Sequence, residues 1–155
     1  YQAVKQPDVV AVGECGLDKL RGASMSLQQE VFRACISLAE QMHLPLVVHA
    51  VKCTEELFRI HKELKPQMPW IIHGFRGRKE VAEQYLKRGF YLSFGEHFHD
   101  EALRSTPLER LLLETDESRL SMEEICRKAA SVYGLPAEIL AARITSNAQK
   151  VLFLQ

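Results

Sequence analysis

Short apolar runs alternate with longer amphipathic stretches along most of the chain, and this alternation predicts β-strands separated by α-helices. Strand followed by helix, repeated, is typical of a parallel sheet with helices on its faces. Such a sheet is either open and doubly wound or part of an eight-stranded barrel. The chain has 155 residues, whereas a complete barrel typically needs about 250. The predicted strands are residues 9–14, 46–49, 70–73, 90–94 and 111–116.

The amphipathic stretches carry apolar side chains three and four residues apart, which is the spacing of a helix with one buried face. Ser26 with Gln29, and Ser121 with Glu124, have the spacing of a capping box and predict two helix starts. Gly134 is predicted to end the second of these helices. The predicted helices are residues 27–43, 54–64, 79–88, 121–133 and a last one that opens with Pro136 in its first turn.

Four of the predicted strands end on a side chain that can bind a metal. In parallel α/β folds the working face lies at the carboxyl ends of the strands. Neighbouring strands lie about 5 Å apart, so side chains from several strand ends can converge on one ion. Each group taken alone is more often an ordinary polar side chain, but their coincidence favours a metal site. The four residues are Glu14, His49, His73 and Asp116.

Mixed carboxylate and imidazole donors suit zinc, manganese, iron or nickel better than magnesium, which prefers oxygen. Glu114 lies two residues before Asp116, so in a strand both side chains share a face. Glu114 is therefore predicted to orient a metal ligand from behind. His97 and His99 also have a spacing that can bind metal, but an ordinary polar loop is the favoured interpretation of that segment.

Composition excludes some classes of protein. The 20 basic and 20 acidic residues cancel, which argues against a surface that is positive throughout and binds nucleic acid non-specifically. No apolar stretch approaches the roughly 20 residues of a membrane helix, so no membrane partner is expected. The four cysteines form no Cys-x-x-Cys pair, which argues against a structural zinc site and favours free thiols in the cytoplasm.

The segments around these residues resemble the TatD family of metal-dependent deoxyribonucleases. Val12-Gly-Glu-Cys-Gly-Leu-Asp18 is similar to the family motif Glu-x-Gly-Leu-Asp, and Leu44-Pro-Leu-Val-Val-His49 to its Leu-Pro-x-x-x-His strand. Ile72-His-Gly-Phe-Arg-Gly77 resembles its His-x-Phe-x-Gly motif, and Leu112-Leu-Glu-Thr-Asp116 its Leu-Glu-Thr-Asp motif. The segment from Asn147 to Phe153 resembles the closing element of the family.

The resemblance implies a (β/α)₈ TIM-barrel-type metallohydrolase that cleaves the phosphodiester bonds of DNA with one or two divalent metals, Mg, Mn or Zn. It implies that Glu14 is a carboxylate shared by two metals and that His49 and His73 bind the second metal. It further implies that Asp116 binds the first metal and acts as general base toward water. Lys52 and Arg76 follow two of the ligand-bearing strands and are predicted to contact substrate phosphate.

The chain also departs from the family pattern. The family opens with a His-x-His strand, but no histidine precedes Glu14, so we expect one domain over residues 1–155 that is N-terminally incomplete, with about five parallel strands. Lys52 stands one position after the usual arginine, and a lysine binds phosphate only as a point charge. Asp116-Glu-Ser-Arg119 replaces the usual Asp-x-Pro segment.

Two alternatives to a deoxyribonuclease remain open at this point. The same ligands can hydrolyse a small ester, amide or phosphate. Alternatively, the chain is a non-catalytic fragment whose open sheet edge needs covering by an oligomer partner or by the missing N-terminal segment, since an unpaired strand edge invites association.

Overall fold

The computed structural model describes residue 6 and residues 8–153. In this range five strands alternate with helices, as the hydrophobic pattern predicts. The strands are β1 Val12–Asp18, β2 Leu46–Val51, β3 Trp70–Ile72, β4 Tyr91–Phe94 and β5 Leu111–Leu113. The helices are α1 Met25–Met42, α2 Thr54–Leu64, α3 Lys79–Leu86, α4 Asp100–Ser105, α5 Met122–Tyr133 and α6 Ala137–Leu152, with a 3₁₀ turn at Leu108–Arg110.

The chain folds as two compact units, residues 1–71 and 72–155, so that the division falls within β3. In the first unit β1 runs parallel to β2, with Asp18 opposite Val51, and α1 packs against β1. Its core includes Phe32 of α1, which meets Trp70 edge-on with ring centroids 5.3 Å apart. Fully burying a side chain of this size stabilises the fold by about 1.5–3 kcal/mol.

In the second unit β4 runs parallel to β5, with Phe94 opposite Leu113. Helices α5 and α6 both pack against β5. The side chain of Asn147 on α6 donates hydrogen bonds to the carbonyls of Leu108 and Leu111, at 2.5 and 2.8 Å, and so ties α6 to the start of β5. Edge-to-face contacts of Phe75 and Phe98 with Phe94, and of Phe75 with Tyr85, extend this core.

The boundaries of two predicted elements are wrong in ways that affect the site. β1 extends four residues beyond Glu14 to Asp18, because the parallel pairing with β2 continues through the glycine-containing segment. β5 ends at Leu113, so Glu114 and Asp116 follow the strand instead of forming its last residues. Asp116 has a positive φ of 43°, which takes the backbone out of strand geometry.

One of the two predicted capping boxes is confirmed. Ser121 caps α5 by accepting from the Glu124 N–H, and the Glu124 side chain accepts in return from the Ser121 N–H. The box predicted at Ser26 is wrong, because Ser24 is the N-cap of α1 and Ser26 lies inside the helix. Gly134 ends α5 in the left-handed conformation, as predicted. Within the described residues, every helix is too short or too polar to cross a bilayer.

Candidate metal centre

The first unit holds two of the predicted ligands, Glu14 on β1 and His49 on β2, with donor atoms within 4.8 Å of each other. Gly16 of β1 lies opposite His49 in the parallel register. A Cβ atom at Gly16 would stand 1.9 Å from the carbonyl oxygen of His49, so only glycine permits this approach of the two strands. The glycine of the sequence motif therefore lets β1 lie tightly against the backbone of His49.

Asp18, at the end of β1, is the partner of His49 in this unit. Its Oδ2 lies 3.3 Å from His49 Nε2. Its Oδ1 accepts from the backbone N–H groups of Leu20 and Arg21, at 2.7 and 3.1 Å. The Leu20 N–H above all, helped by His49 and Arg21, holds the pKa of the Asp18 carboxyl below its usual range. Asp18 therefore stays ionised and can orient the imidazole of His49.

The end of β1 and the loop after it are held by one side-chain amide, that of Gln28 on α1. Gln28 Oε1 accepts from the Asp18 N–H at 2.7 Å. Gln28 Nε2 lies within hydrogen-bond distance of three carbonyl oxygens, those of Asp18 at 3.0 Å, Arg21 at 3.1 Å and Ala23 at 2.8 Å. Gln28 thus links the start of α1 to the end of β1. Sequence reasoning gave no role to Asp18 or Gln28, although Asp18 stands in the quoted motif.

The second unit holds the other two predicted ligands. His73 directly follows β3, Asp116 follows β5, and Glu114 lies with them, so that donor atoms of all three residues are within 4.8 Å of one another. His73 Nδ1 is 3.4 Å from Glu114 Oε1. The two side chains are largely buried, with 11% and 18% of their surface exposed. Glu114 therefore stands among possible ligands, as well as behind His73.

The carboxylate of Glu114 provides a test of whether these residues fit a metal. Its Oε2 accepts a short hydrogen bond from the hydroxyl of Ser93 on β4. Its Oε1 is buried and makes no hydrogen bond to any residue that the structure describes, since His73 lies at ion-pair distance without hydrogen-bond geometry. A buried carboxylate oxygen without a hydrogen bond is unfavourable, and a divalent cation beside it offsets that cost. The donor set fits a metal of the zinc or manganese type.

A cleft of about 170 Å³ opens beside this group. Glu114 and Asp116 line it together with Arg76, the residue that the sequence predicts as a phosphate contact. Gly74 also lines the cleft, with a φ of 57° that favours glycine. Lys52, the other predicted phosphate contact, is exposed and directly follows β2 in the first unit.

The two histidines of the loop after β4 line different clefts. His97 lines the cleft that contains Glu114 and Asp116. His99 lines a second, polar cleft, together with Arg78, Lys79 and Asp100. Neither histidine belongs to a group of possible metal ligands among the described residues, and the polar-loop interpretation stays a prediction. Sequence reasoning had no signal that would separate the two.

Comparison with known proteins gives the same family as the sequence motifs. The profile of the TatD related DNase family matches residues 1–153. A protein of Bacillus subtilis described as "Uncharacterized metal-dependent hydrolase YabD" is 40% identical over 117 residues, which cover 70% of this chain and 46% of that protein. The "3'-5' ssDNA/RNA exonuclease TatD" of Pantoea ananatis is 32% identical over 177 residues, covering 97% of this chain and 68% of that protein.

Two solved structures have the same fold. The TatD homologue YJJV of Escherichia coli K12 superposes with a TM-score of 0.86 at 24% identity, covering 99% of this chain and 68% of that chain. A TatD-family hydrolase of Entamoeba histolytica gives a TM-score of 0.83 at 20% identity, covering 94% and 64%. These likenesses confirm the predicted α/β fold of TIM-barrel type.

The chain spans about half the length of several curated relatives, for example 46% of the Bacillus protein and 56% of a TatD exonuclease of Citrobacter koseri. The family assignment nevertheless rests on almost the whole of this chain, since the profile match runs from residue 1 to residue 153. Two of the relatives, from Bacillus subtilis and Methanocaldococcus jannaschii, are named as metal-dependent hydrolases, and the donor groups described above fit a metal. The chain belongs to the TatD-related DNase family.

Proposed function

We propose that this protein is a divalent-metal-dependent hydrolase that cleaves the phosphodiester bonds of DNA. The observation that carries the proposal is the group formed by His73, Glu114 and Asp116, in which a buried carboxylate oxygen lacks a hydrogen bond among the described residues. Relatives named as single-stranded DNA and RNA exonucleases support a nucleic acid as the substrate.

The proposed metal ligands are Glu14, His49, His73 and Asp116, in one or two metal sites. A bound divalent metal supplies an acidified water and neutralises negative charge on the phosphate. Asp116 accepts the proton of the attacking water, and Glu14 contributes negative charge toward the metal. Donor distances within 4.8 Å support the assignment separately for Glu14 with His49 and for His73 with Asp116.

Two carboxylates orient the proposed imidazole ligands. Asp18 lies beside His49 at 3.3 Å and Glu114 beside His73 at 3.4 Å. A carboxylate partner fixes the orientation and tautomer of an imidazole and raises its basicity as a ligand. With Asp18 in this role, each unit contains a histidine with a carboxylate beside it.

Arg76 and Lys52 are the proposed phosphate contacts. Arg76 lines the cleft beside Asp116, and its planar guanidinium can hold two phosphate oxygens at once. Lys52 is exposed and offers a point charge on a flexible stem. The metal is proposed to be Zn, Mn or Mg, with imidazole donors favouring the first two. The four free cysteines are consistent with the proposed cytoplasmic location.

The experiment that tests this proposal measures nucleotide release from single-stranded DNA in the presence of Mn²⁺. Asp116→Asn is expected to lower the rate by about 10²- to 10⁴-fold, the usual contribution of general-base catalysis. The triple variant Glu14→Gln, His49→Ala and His73→Ala is expected to have no metal-dependent activity. His99→Ala, in the other cleft, serves as the control and keeps wild-type activity. Full activity of the triple variant overturns the proposal.

A small ester, amide or phosphate is the second candidate substrate. The cleft of about 170 Å³ favours it, since pockets that bury drug-sized ligands usually measure about 300–1,000 Å³ and this cleft suits a smaller group. A panel of substrates decides between the candidates. Fast turnover of a small ester without any cleavage of DNA would replace the first candidate by the second.

A further inference from the structure

We propose that His97 is a catalytic residue that donates a proton to the leaving oxygen of the phosphodiester, and that Glu96 orients it. The proposal rests on the proposed phosphodiester hydrolysis and adds a residue to it. In that reaction Asp116 takes a proton from the attacking water, but none of the residues discussed so far supplies a proton to the leaving group.

The chemistry of the leaving group favours such a donor. The sugar oxygen of DNA leaves as an alkoxide, which is strongly basic and is stabilised by proton transfer as the bond breaks. The water oxygen forms a bond to phosphorus while the bond from phosphorus to the sugar oxygen breaks, its electron pair staying on the sugar oxygen. His97 gives its proton to that oxygen, Asp116 receives the proton of water, and solvent restores both groups. No electrons are transferred to or from another molecule.

His97 occupies a suitable place for this task. It lines the same cleft as Arg76, Glu114 and Asp116, and thus adjoins both the proposed base and the proposed phosphate contact. Its side chain is 63% exposed, so that it can exchange protons with solvent between turnovers. Its Nε2 lies 2.8 Å from Oε1 of Glu96, the residue before it. An imidazole backed by a carboxylate is a common arrangement for general acid and base catalysis.

Glu96 is itself held in position by two further contacts. Its Oε2 accepts a hydrogen bond of 2.6 Å from the hydroxyl of Ser118, which follows Asp116 by two residues. Its backbone carbonyl accepts from Lys128 Nζ of α5 at 2.9 Å. The hydrogen bond from Ser118 connects the loop that carries His97 to the loop that carries Asp116. The hydrogen bond between Ser118 and Glu96 therefore helps to set the position of His97 relative to Asp116.

The neighbouring His99 offers a matched control. It lies two residues further along the same loop and is also exposed, but it lines the separate cleft with Arg78 and Lys79. Substituting His99 changes the same residue type in the same loop without altering the cleft of Asp116. A general effect on the loop would appear in both variants, whereas a catalytic role appears only for His97.

The test measures how fast the full chain, with Mn²⁺ present, hydrolyses two substrates. One is a thymidine dinucleotide and the other is the p-nitrophenyl ester of thymidine phosphate. Nitrophenolate leaves readily without a proton, whereas the sugar alkoxide does not. His97→Gln is expected to slow cleavage of the dinucleotide by about 10²- to 10⁴-fold and to leave the nitrophenyl ester within about threefold of wild type. Glu96→Gln is expected to give a smaller loss with the same selectivity, and His99→Gln no loss with either substrate.

Other outcomes overturn the proposal and separate it from the proposed function. An equal loss on both substrates assigns His97 a structural or binding role, and the absence of any loss removes it from the reaction. A wild-type chain that hydrolyses only the nitrophenyl ester does not cleave the bond between nucleotides, which overturns the role of His97 and replaces DNA by a small ester as the proposed substrate. A wild-type chain that hydrolyses neither substrate overturns the proposed function and the role of His97 with it.

Discussion

The two units of the chain each contain a histidine next to a carboxylate, but they support this pair in different ways. The distances are nearly equal, 3.3 Å between His49 and Asp18 and 3.4 Å between His73 and Glu114. The side chain of His49 is 43% exposed, whereas that of His73 is only 11% exposed. In the first unit the partner of the imidazole is the last residue of β1, and the backbone of the loop after it holds the carboxylate. In the second unit the partner is held by a buried strand.

The state of the carboxylate differs accordingly. Asp18 is satisfied by the backbone N–H groups of Leu20 and Arg21 in addition to His49. Glu114 has one oxygen bonded to Ser93 and the other buried without a hydrogen bond to any described residue. A cation therefore relieves more unfavourable free energy beside Glu114 than beside Asp18. We therefore expect the second unit to contribute more to metal affinity.

The largest expected effect concerns metal affinity. Glu114→Gln is expected to weaken Mn²⁺ binding by about 100-fold and Asp18→Asn by about tenfold, the two ends of the usual range for carboxylates that support metal ligands. The difference arises because Asp18 retains its backbone hydrogen bonds in the variant. Isothermal titration with Mn²⁺ measures both values, and Asp100→Asn in the other cleft serves as the control. A larger loss for Asp18→Asn than for Glu114→Gln would reverse the comparison.

The second prediction concerns the hydrogen bonds by which Gln28 holds the end of β1 and the loop after it. Gln28→Ala removes these hydrogen bonds. We expect it to lower the free energy of unfolding by about 1–2 kcal/mol, since several partly exposed hydrogen bonds are lost together. It should also weaken Mn²⁺ binding, but less than Asp18→Asn does.

Gln29→Ala is the matched control for this substitution. Gln29 is the next residue of α1 and accepts one exposed hydrogen bond from Arg59. Losing this one hydrogen bond is expected to change the free energy of unfolding by less than about 0.5 kcal/mol. Urea unfolding of the two variants gives the comparison. Equal stability of the Gln28 and Gln29 variants would mean that the loop does not depend on the amide.

The smallest expected effect is on the free energy of unfolding, when the N-terminal cap of α1 in the first unit or of α5 in the second is removed. Ser121 and Glu124 cap each other at α5, whereas Ser24 caps α1 only through a longer contact of 3.4 Å with the Leu27 N–H. Ser121→Ala is expected to lower the free energy of unfolding by about 1 kcal/mol and Ser24→Ala by about 0.5 kcal/mol. Thermal or urea unfolding measures both values. A greater loss at Ser24 would contradict the comparison.

The capping box also predicts a dependence on pH. The backbone N–H and hydroxyl of Ser121 lower the pKa of Glu124 below its ordinary value of 4.5. Because the folded-state pKa is depressed, this contribution to stability is present above pH 4.5 and disappears as the pH falls through the folded value. The stability difference between wild type and Ser121→Ala should therefore shrink on acidification. In a Glu124→Gln background it should stay constant over the same range.

Several features could be predicted from the sequence because they depend on local patterns. Apolar runs and amphipathic stretches predicted the alternation of strands and helices, and the serine and glutamate of α5 predicted its capping box. The box at Ser26 failed because Ser24, two residues earlier, provides an alternative cap and the chain context selects between them. The single domain over residues 1–155 stays a prediction, and so do the roles of Glu14, His49, His73 and Asp116.

The supporting residues could not be predicted, since their partners are distant along the chain. Ser93 and Glu114 are 21 residues apart, and Asp18 and His49 are 31 residues apart. No local pattern marks Gln28 as the residue that holds the β1 loop, because a glutamine at the start of a helix is usually solvated. The end of β1 was also misplaced, since the pairing with β2 decides how far a strand containing two glycines continues.

The sequence by itself determined the fold class and predicted which residues bind a metal, because hydrophobic periodicity and residue type are local properties of the chain. Only the tertiary structure decided how those ligands are supported. It paired His49 with Asp18 and His73 with Glu114, buried one oxygen of Glu114 without a hydrogen bond among the described residues, and placed His97 and His99 in separate clefts. These properties depend on which strand ends and loops lie next to each other, and packing sets that arrangement.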